Sequence, residues 1–284
     1  MLDFQTINRT IDLPSTLDFD VQFEPTRVAN KKYAINGTTG QPFAVVGDTF
    51  NCASHKDFFT GVWEQITENL HGADIEGAEV RFKSGRDGGF GLMDVQFPSV
   101  SAKIATDKHE TELKQRIIGL HGVDGMAGSN TTLFGSIDTF CTNGQISGEH
   151  STIRRKNSSR FSLTSFINEL RNAKNDFYAE SERLQVFAQS SLKNVNVQDL
   201  LEGMIASKDK AKKMHELYQF EADTRGENKF SLLSAFTNYA SHSLGNGFEL
   251  RNTSNREQTE ASTMMRREVE VNQWLNDQRF LLAA

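Results

Sequence analysis

The hydrophobic period of this chain changes once, near residue 150, and that change restricts the fold more than any other feature of the sequence. Before it, short apolar alternations are interrupted by paired glycines, the pattern of strands joined by tight turns. After it, apolar residues recur at helical spacing over long stretches. Strands joined by tight turns cannot be parallel neighbours. The expected fold class is therefore α+β: a mainly antiparallel N-terminal sheet with a packed helix, followed by a mostly α-helical C-terminal half. The expected divisions are an N-terminal arm over 1–30, an antiparallel core over 31–160, and a helical region over 161–284 that packs on the core or forms an assembly interface.

Local signals place the elements. Phe43, Val45 and Val46 predict a strand over Pro42–Phe50. Ser54 followed by Asp57 resembles a capping box, and Phe58, Val62, Ile66 and Leu70 then recur at helical spacing, so a helix is expected over 54–70. Ala78 to Lys83 alternates, Ser84 to Gly89 is turn chemistry, and Phe90 to Phe97 returns, which predicts a hairpin. Its second strand is expected to turn Met93, Val95 and Phe97 inward and Leu92, Asp94 and Gln96 to the other face. A further strand pair is expected at Leu113–His121 and Thr131–Phe140, around a Gly-rich loop from Gly122 to Ser129. Helices are then expected from Ser162 to Leu192, Val197 to Phe220, Phe230 to Leu244 and Glu257 to Leu282. The polar middle of the second, Ser207 to Lys213, is either a break or an exposed face.

Composition excludes several classes. With 37% hydrophobic and 24% charged residues, the chain has a soluble globular balance, not that of a disordered one. No apolar run approaches the roughly 18 residues of a membrane span. Met1-Leu2-Asp3-Phe4 lacks the basic and apolar regions of a signal peptide, so a cytoplasmic location is expected. Cys52 and Cys141 are too few for a disulfide scaffold and cannot make a zinc site alone.

The charge is unevenly spread. The whole chain carries a net −6, but residues 151–175 hold six cations against one carboxylate, a net +5. Arg154, Arg155, Lys156 and Arg160 lie within seven residues, among Asn157, Ser158 and Ser159 and just before Phe161. Such groups suit phosphate oxygens and carry no base information. Two readings stand for this stretch: a solvated linker between the halves, and a binding lip for an anionic strand. Lys114, Arg116, Arg81, Lys83 and Arg86, on the expected sheet, are weaker candidates for the same role.

Catalytic motifs are missing. The Gly122–Ser129 loop has no Gly-Lys-Ser/Thr after it, and Gly85, Gly88, Gly89 and Gly91 miss the dinucleotide spacing. No nucleophile elbow occurs, and His109-Glu110 lacks the second His of a zincin. His121 and Asp124, at the mouth of the Gly-rich loop, could do acid–base work with Ser129 or Cys141 as nucleophile, but residues of these types more often serve as ordinary hydrogen-bonding groups. No cofactor and no metal are expected.

Three stretches carry a family likeness: Phe43-Ala44-Val45-Val46-Gly47-Asp48-Thr49-Phe50; His121-Gly122-Val123-Asp124-Gly125 with Ile137-Asp138-Thr139-Phe140-Cys141-Thr142-Asn143-Gly144; and Leu233-Ser234-Ala235-Phe236-Thr237-Asn238-Tyr239-Ala240-Ser241-His242. Over residues 40–245 they resemble the phage/plasmid-like family built on domain of unknown function nine-three-two. The chain departs from that pattern at Asp138, near a usual Arg, and at Ser234, in place of a usual Asn. The resemblance singles out His121, Asp124, Cys141, Thr142 and Asn143 as motif residues and implies a phage or plasmid setting. The expected architecture is also similar to that of phage single-strand annealing proteins.

The function expected from all this is a phage or plasmid recombination or replication accessory protein. It would bind single-stranded DNA and anneal strands without catalytic turnover, as a homo-oligomer and with no membrane partner. The alternatives are a structural or host-interaction oligomer, and an enzyme with its site at the Gly122–Ser129 loop.

Overall fold

The computed structural model describes residues 5–6, 11–69, 75–126, 130–138, 144–146, 152–157, 162–164, 173–242, 247–248 and 256–283. Strands are β1 (Gln5–Thr6), β2 (Val21–Pro25), β3 (Lys31–Asn36), β4 (Pro42–Gly47), β5 (Glu79–Gly85), β6 (Phe90–Ala105), β7 (Glu110–Gly122), β8 (Asn130–Asp138), β9 (Gly144–Ile146) and β10 (Thr152–Arg155). Helices are α1 (His55–Asn69), α2 (Ala173–Gln189), α3 (Val197–Met204), α4 (Lys208–Arg225), α5 (Lys229–Ser241), α6 (Arg256–Leu275) and α7 (Gln278–Leu282). The expected α+β class is the observed one.

Among the described residues, β2, β3 and β4 form an antiparallel meander. A second sheet runs in the order β1-β5-β6-β7-β8-β10, with β9 also on β8. Its pairings β1–β5, β5–β6, β8–β9 and β8–β10 are antiparallel. The chain folds into two compact units that do not follow the expected linear divisions. The first comprises Met1–Val100, Arg116–Phe134 and Glu149–Asn175, and the second Ser101–Gln115, Gly135–Gly148 and Asp176–Ala284. The expected arm is not separate either, because β2 lies inside residues 1–30 and pairs with β3.

In the first unit α1 begins at the expected place. The Ser54 hydroxyl accepts from the Asp57 amide at 2.9 Å, capping the first turn. Phe58, Phe59, Val62, Trp63 and Ile66 make its buried stripe. Trp63 stacks on Phe97 with centroids 6.3 Å apart, and Phe59 meets Phe82 at 5.7 Å, so the helix covers the inward face of the β5–β6 hairpin. The other face of β6 is not solvent-facing in the way its alternation suggests: Leu92 and Asp94 are buried as well.

The second unit is helical around α5, whose residues from Lys229 to Thr237 are all buried. A helix buried on every side belongs inside a bundle. Phe236 meets Trp274 of α6 at 5.3 Å and Phe280 of α7 at 5.8 Å. The expected helix from Val197 to Phe220 is two. Ile205 is extended and buried, and the Ser207 side chain accepts from the Lys210 amide to start α4. Among the described residues no helix is long and apolar enough to cross a membrane.

Candidate functional site

One end of the first unit gathers the β5–β6 turn, the start of the Gly-rich loop and the residues that follow β10. The turn is tight. Arg86 and Asp87 both have positive φ, 52° and 54°, a region that aspartate tolerates but arginine seldom occupies. Arg86 is held there by an ion pair to Asp124, bidentate, with its Nη2 3.3 Å from Oδ1. Asp124 also accepts from the Met126 amide at 2.9 Å. The Val123 amide donates to the Gly89 carbonyl at 2.8 Å. A Cβ on Gly89 would stand 2.8 Å from the Asp124 carboxylate, so the turn and loop approach this closely only because residue 89 is glycine.

Beneath the turn lie two buried histidines. His55 Nε2 is 2.7 Å from the Gly88 carbonyl, which can only accept, so Nε2 carries the proton. In the neutral ring Nδ1 of His55 is then an acceptor, and it receives the His121 Nδ1–H at 2.9 Å. That leaves His121 Nε2 as a bare lone pair, fully buried and without a hydrogen-bond partner among the described residues. Phe58 stacks on His121 at 4.5 Å. Burial pushes His55 down to about 4, partly offset by the Gly88 hydrogen bond, and burial together with His55 pushes His121 well below its usual range. Both rings are neutral at pH 7.

The third component is the basic stretch. β10 pairs antiparallel with β8, with Arg154 opposite Thr131 and Arg155 opposite Asn130. Just beyond it, Asn157 Nδ2 donates to the Gly122 carbonyl, and Asn130 Nδ2 donates to Asn157 Oδ1 at 2.7 Å. The segment is therefore sheet that is pinned to the Gly-rich loop, and Lys156 stands exposed between two anchored neighbours.

No family model, curated protein or solved structure matches this chain.

The sequence-selected residues are distributed as follows. Arg154 and Arg155 lie on β10 and Lys156 follows it, while Arg160 lies outside the described residues. Cys141, Thr142 and Asn143 also lie outside them. Lys83 is half-buried on β5, and Lys114 is half-buried on β7 in the stretch belonging to the second unit. Arg81 and Arg116 are committed elsewhere. Arg116 is 4% exposed and grips Asp94 with Nε to Oδ1 at 2.8 Å and Nη2 to Oδ2 at 3.0 Å, and Arg81, the cross-strand partner of Asp94, pairs with it too. Burial raises the Asp94 carboxyl, but the guanidiniums of Arg116 and Arg81 outweigh it and hold the group at about 2. A buried Arg116 does not reach an external phosphate, so its expected binding role gives way to a structural one. His121 and Asp124 do not pair: the first binds His55 and the second Arg86. The acid–base pair considered for an enzyme is thus not formed. Burial raises the other thiol, Cys52, to about 12, which leaves it protonated.

His55 and Asn130 are the site residues that sequence reasoning missed, and Asn157 was read there only as a donor within the basic run. The available signals were the position of His55 directly after a helix cap and the asparagine inside an otherwise basic run.

Proposed function

We propose that this protein binds single-stranded DNA through the end of the first unit and does so without chemical turnover. The observation that carries the reading is the docking of the basic stretch: Thr152–Arg155 is a strand on β8, and Asn157 is tied to the Gly122 carbonyl. A solvated linker needs neither bond, whereas a lip for a phosphate backbone gains from having its cations pre-positioned. Lys156, Arg160 and whichever of the strand neighbours Arg154 and Arg155 shares their face of the sheet are the proposed phosphate contacts, with Arg86, 30% exposed at its side chain, at the rim. The resemblance to a phage/plasmid-like family supports a setting in recombination or replication, and homo-oligomers along one strand would multiply weak protomer binding.

Replacing Arg154, Arg155, Lys156 and Arg160 with Ala tests this. Affinity for oligonucleotides, followed by fluorescence anisotropy, falls almost equally for all sequences, because phosphate recognition carries no base information. The slope of log affinity against log salt flattens by about 0.7 for each phosphate no longer neutralised, up to roughly 2 because Arg154 and Arg155 lie on opposite faces of the strand. A folded quadruple variant with the wild-type slope would put the DNA site elsewhere, and a wild-type protein that binds no oligonucleotide at low salt would end the reading.

A further inference from the structure

The second unit contains a cleft that the DNA reading does not use. It has a volume of about 610 Å³ and adjoins a further space of about 400 Å³, and Asp107, Lys193 and Glu227 line both. The tip of the β6–β7 hairpin forms one wall, the last turns of α4 another, and the turn between α2 and α3 a third. The walls are fixed to each other. Gln185 on α2 makes two hydrogen bonds to the Ala105 backbone, at 3.0 and 2.9 Å. Gly226, which ends α4 with φ 88°, lies so close to Asp107 that a Cβ there would overlap the carboxylate.

Three carboxylates line the cleft against two lysines, one of them already spent on a helix end, so the walls favour a cationic guest. α4 ends in the cleft, and the C-terminus of a helix carries its partial negative charge. An ammonium group of this chain already sits on that end: Lys108 Nζ is 3.4 Å from both the Ala222 and the Asp223 carbonyls. Three carboxylates, Asp107, Asp223 and Glu227, line the cleft, and none forms an ion pair among the described residues. Tyr218 lines the same cleft, 5% exposed, with its hydroxyl in no hydrogen bond among the described residues and its ring stacked on His215 at 6.2 Å. A buried phenol without a partner invites a ligand donor, and its ring face attracts cations. A single metal ion does not fit, because among the described residues no three carboxylates, histidines or cysteines converge closely enough to hold one. Asp107 and Glu227 line both spaces and Asp223 the larger one, so the negative groups do not meet at a single point.

We propose that this cleft binds a linear aliphatic polyamine, with its ammonium groups on Asp107, Asp223 and Glu227 and one methylene segment against the Tyr218 ring. The combined space is of the size that small-molecule sites use, and an extended chain with spaced ammonium groups matches the spaced carboxylates.

Calorimetric titration of the DNA-free full-length protein with spermidine tests the assignment, with magnesium and the dianion glutarate as controls. Spermidine binds in the micromolar range, and 1 mM magnesium leaves that affinity within threefold. Asp223→Asn with Glu227→Gln, both exposed and outside the helical core, weakens spermidine binding at least tenfold while thermal unfolding stays unchanged. Tyr218→Phe weakens it a few fold. Failure to bind 1 mM spermidine, preference for glutarate, equal displacement by magnesium, or undiminished binding by the double variant would each overturn the proposal. None of these outcomes bears on the DNA reading, which rests on the other unit.

Discussion

At the scale of residues, two buried polar sets of the first unit, the His55–His121 pair and the Asp94 cluster, each have a pH signature. His55 and His121 are neutral in the folded protein because burial disfavours a charged imidazole more than the Gly88 carbonyl and the Asp124 carboxylate favour it on His55. The unfolded chain takes up protons on both below about pH 6.5, and the folded chain does so on His55 only near 4. Between those values the unfolded state binds more protons, so stability falls as pH falls. Each histidine contributes a slope of about 1.4 kcal/mol per pH unit while the difference lasts. Asp94 has the opposite charge type, but its loss also comes on acidification, from the ordinary carboxylate value of 3.8 down to about 2. Urea midpoints measured from pH 7 to 4 therefore decline before Asp94 begins to titrate. His121→Phe, an aromatic in a site already walled by Phe58 and Phe59, makes the decline shallower. A pH profile identical to that of the wild type would show that the buried pair is not what titrates.

At the scale of elements, the pinned strand has a consequence that charge alone does not. Asn157→Ala removes the tie to the Gly122 carbonyl and the bond to Asn130 but leaves every cation in place. It should cost about 1–3 kcal/mol of stability, since Asn130 is left with a buried, unsatisfied amide. DNA affinity should fall because the cations are no longer pre-positioned, while the salt slope, which follows the number of phosphates neutralised, stays near its wild-type value. A slope that drops with Asn157→Ala, or an affinity that does not move, would separate the strand from binding. The elements themselves were largely legible in the sequence, because their signals are local. Ser54 with Asp57 marked the start of α1, the glycines from 85 to 89 marked the hairpin turn, and the apolar stripes marked the helices. The break before α4 was half legible: Ser207 is a good cap, but it lay in a polar stretch that an exposed face would show equally. The inward turn of Asp94 was not legible, because alternation assigns a lone carboxylate to solvent and its main partner, Arg116, comes from another strand. The same limit applies to the site. The basic run could be seen, but the choice between linker and lip depended on Asn157 meeting a carbonyl 35 residues earlier in the chain.

At the scale of the whole molecule, the two compact units are interleaved along the chain, and the change of hydrophobic period near residue 150 does not divide them. The stretches Ser101–Gln115 and Gly135–Gly148 belong with Asp176–Ala284. The first of these carries Ile104 and Leu113, each 1% exposed, and its backbone at Ala105 is held by Gln185. A chain cut after residue 160 keeps these apolar positions but loses the helices that share their unit. Exposing two large aliphatic side chains forfeits about 3–6 kcal/mol of burial, a large part of the roughly 5–15 kcal/mol by which a domain is stable. The Ala105 amide and carbonyl are left without their partners at the same time. The fragment 1–160 is therefore expected to show strand-type circular dichroism with no cooperative thermal transition, and to be cleaved by trypsin at Lys103, Lys108 and Lys114 far faster than the full chain. A fragment that unfolded cooperatively and protected those lysines would mean that the β6–β7 hairpin needs nothing from the helices, and that the period change in the sequence is the domain boundary after all.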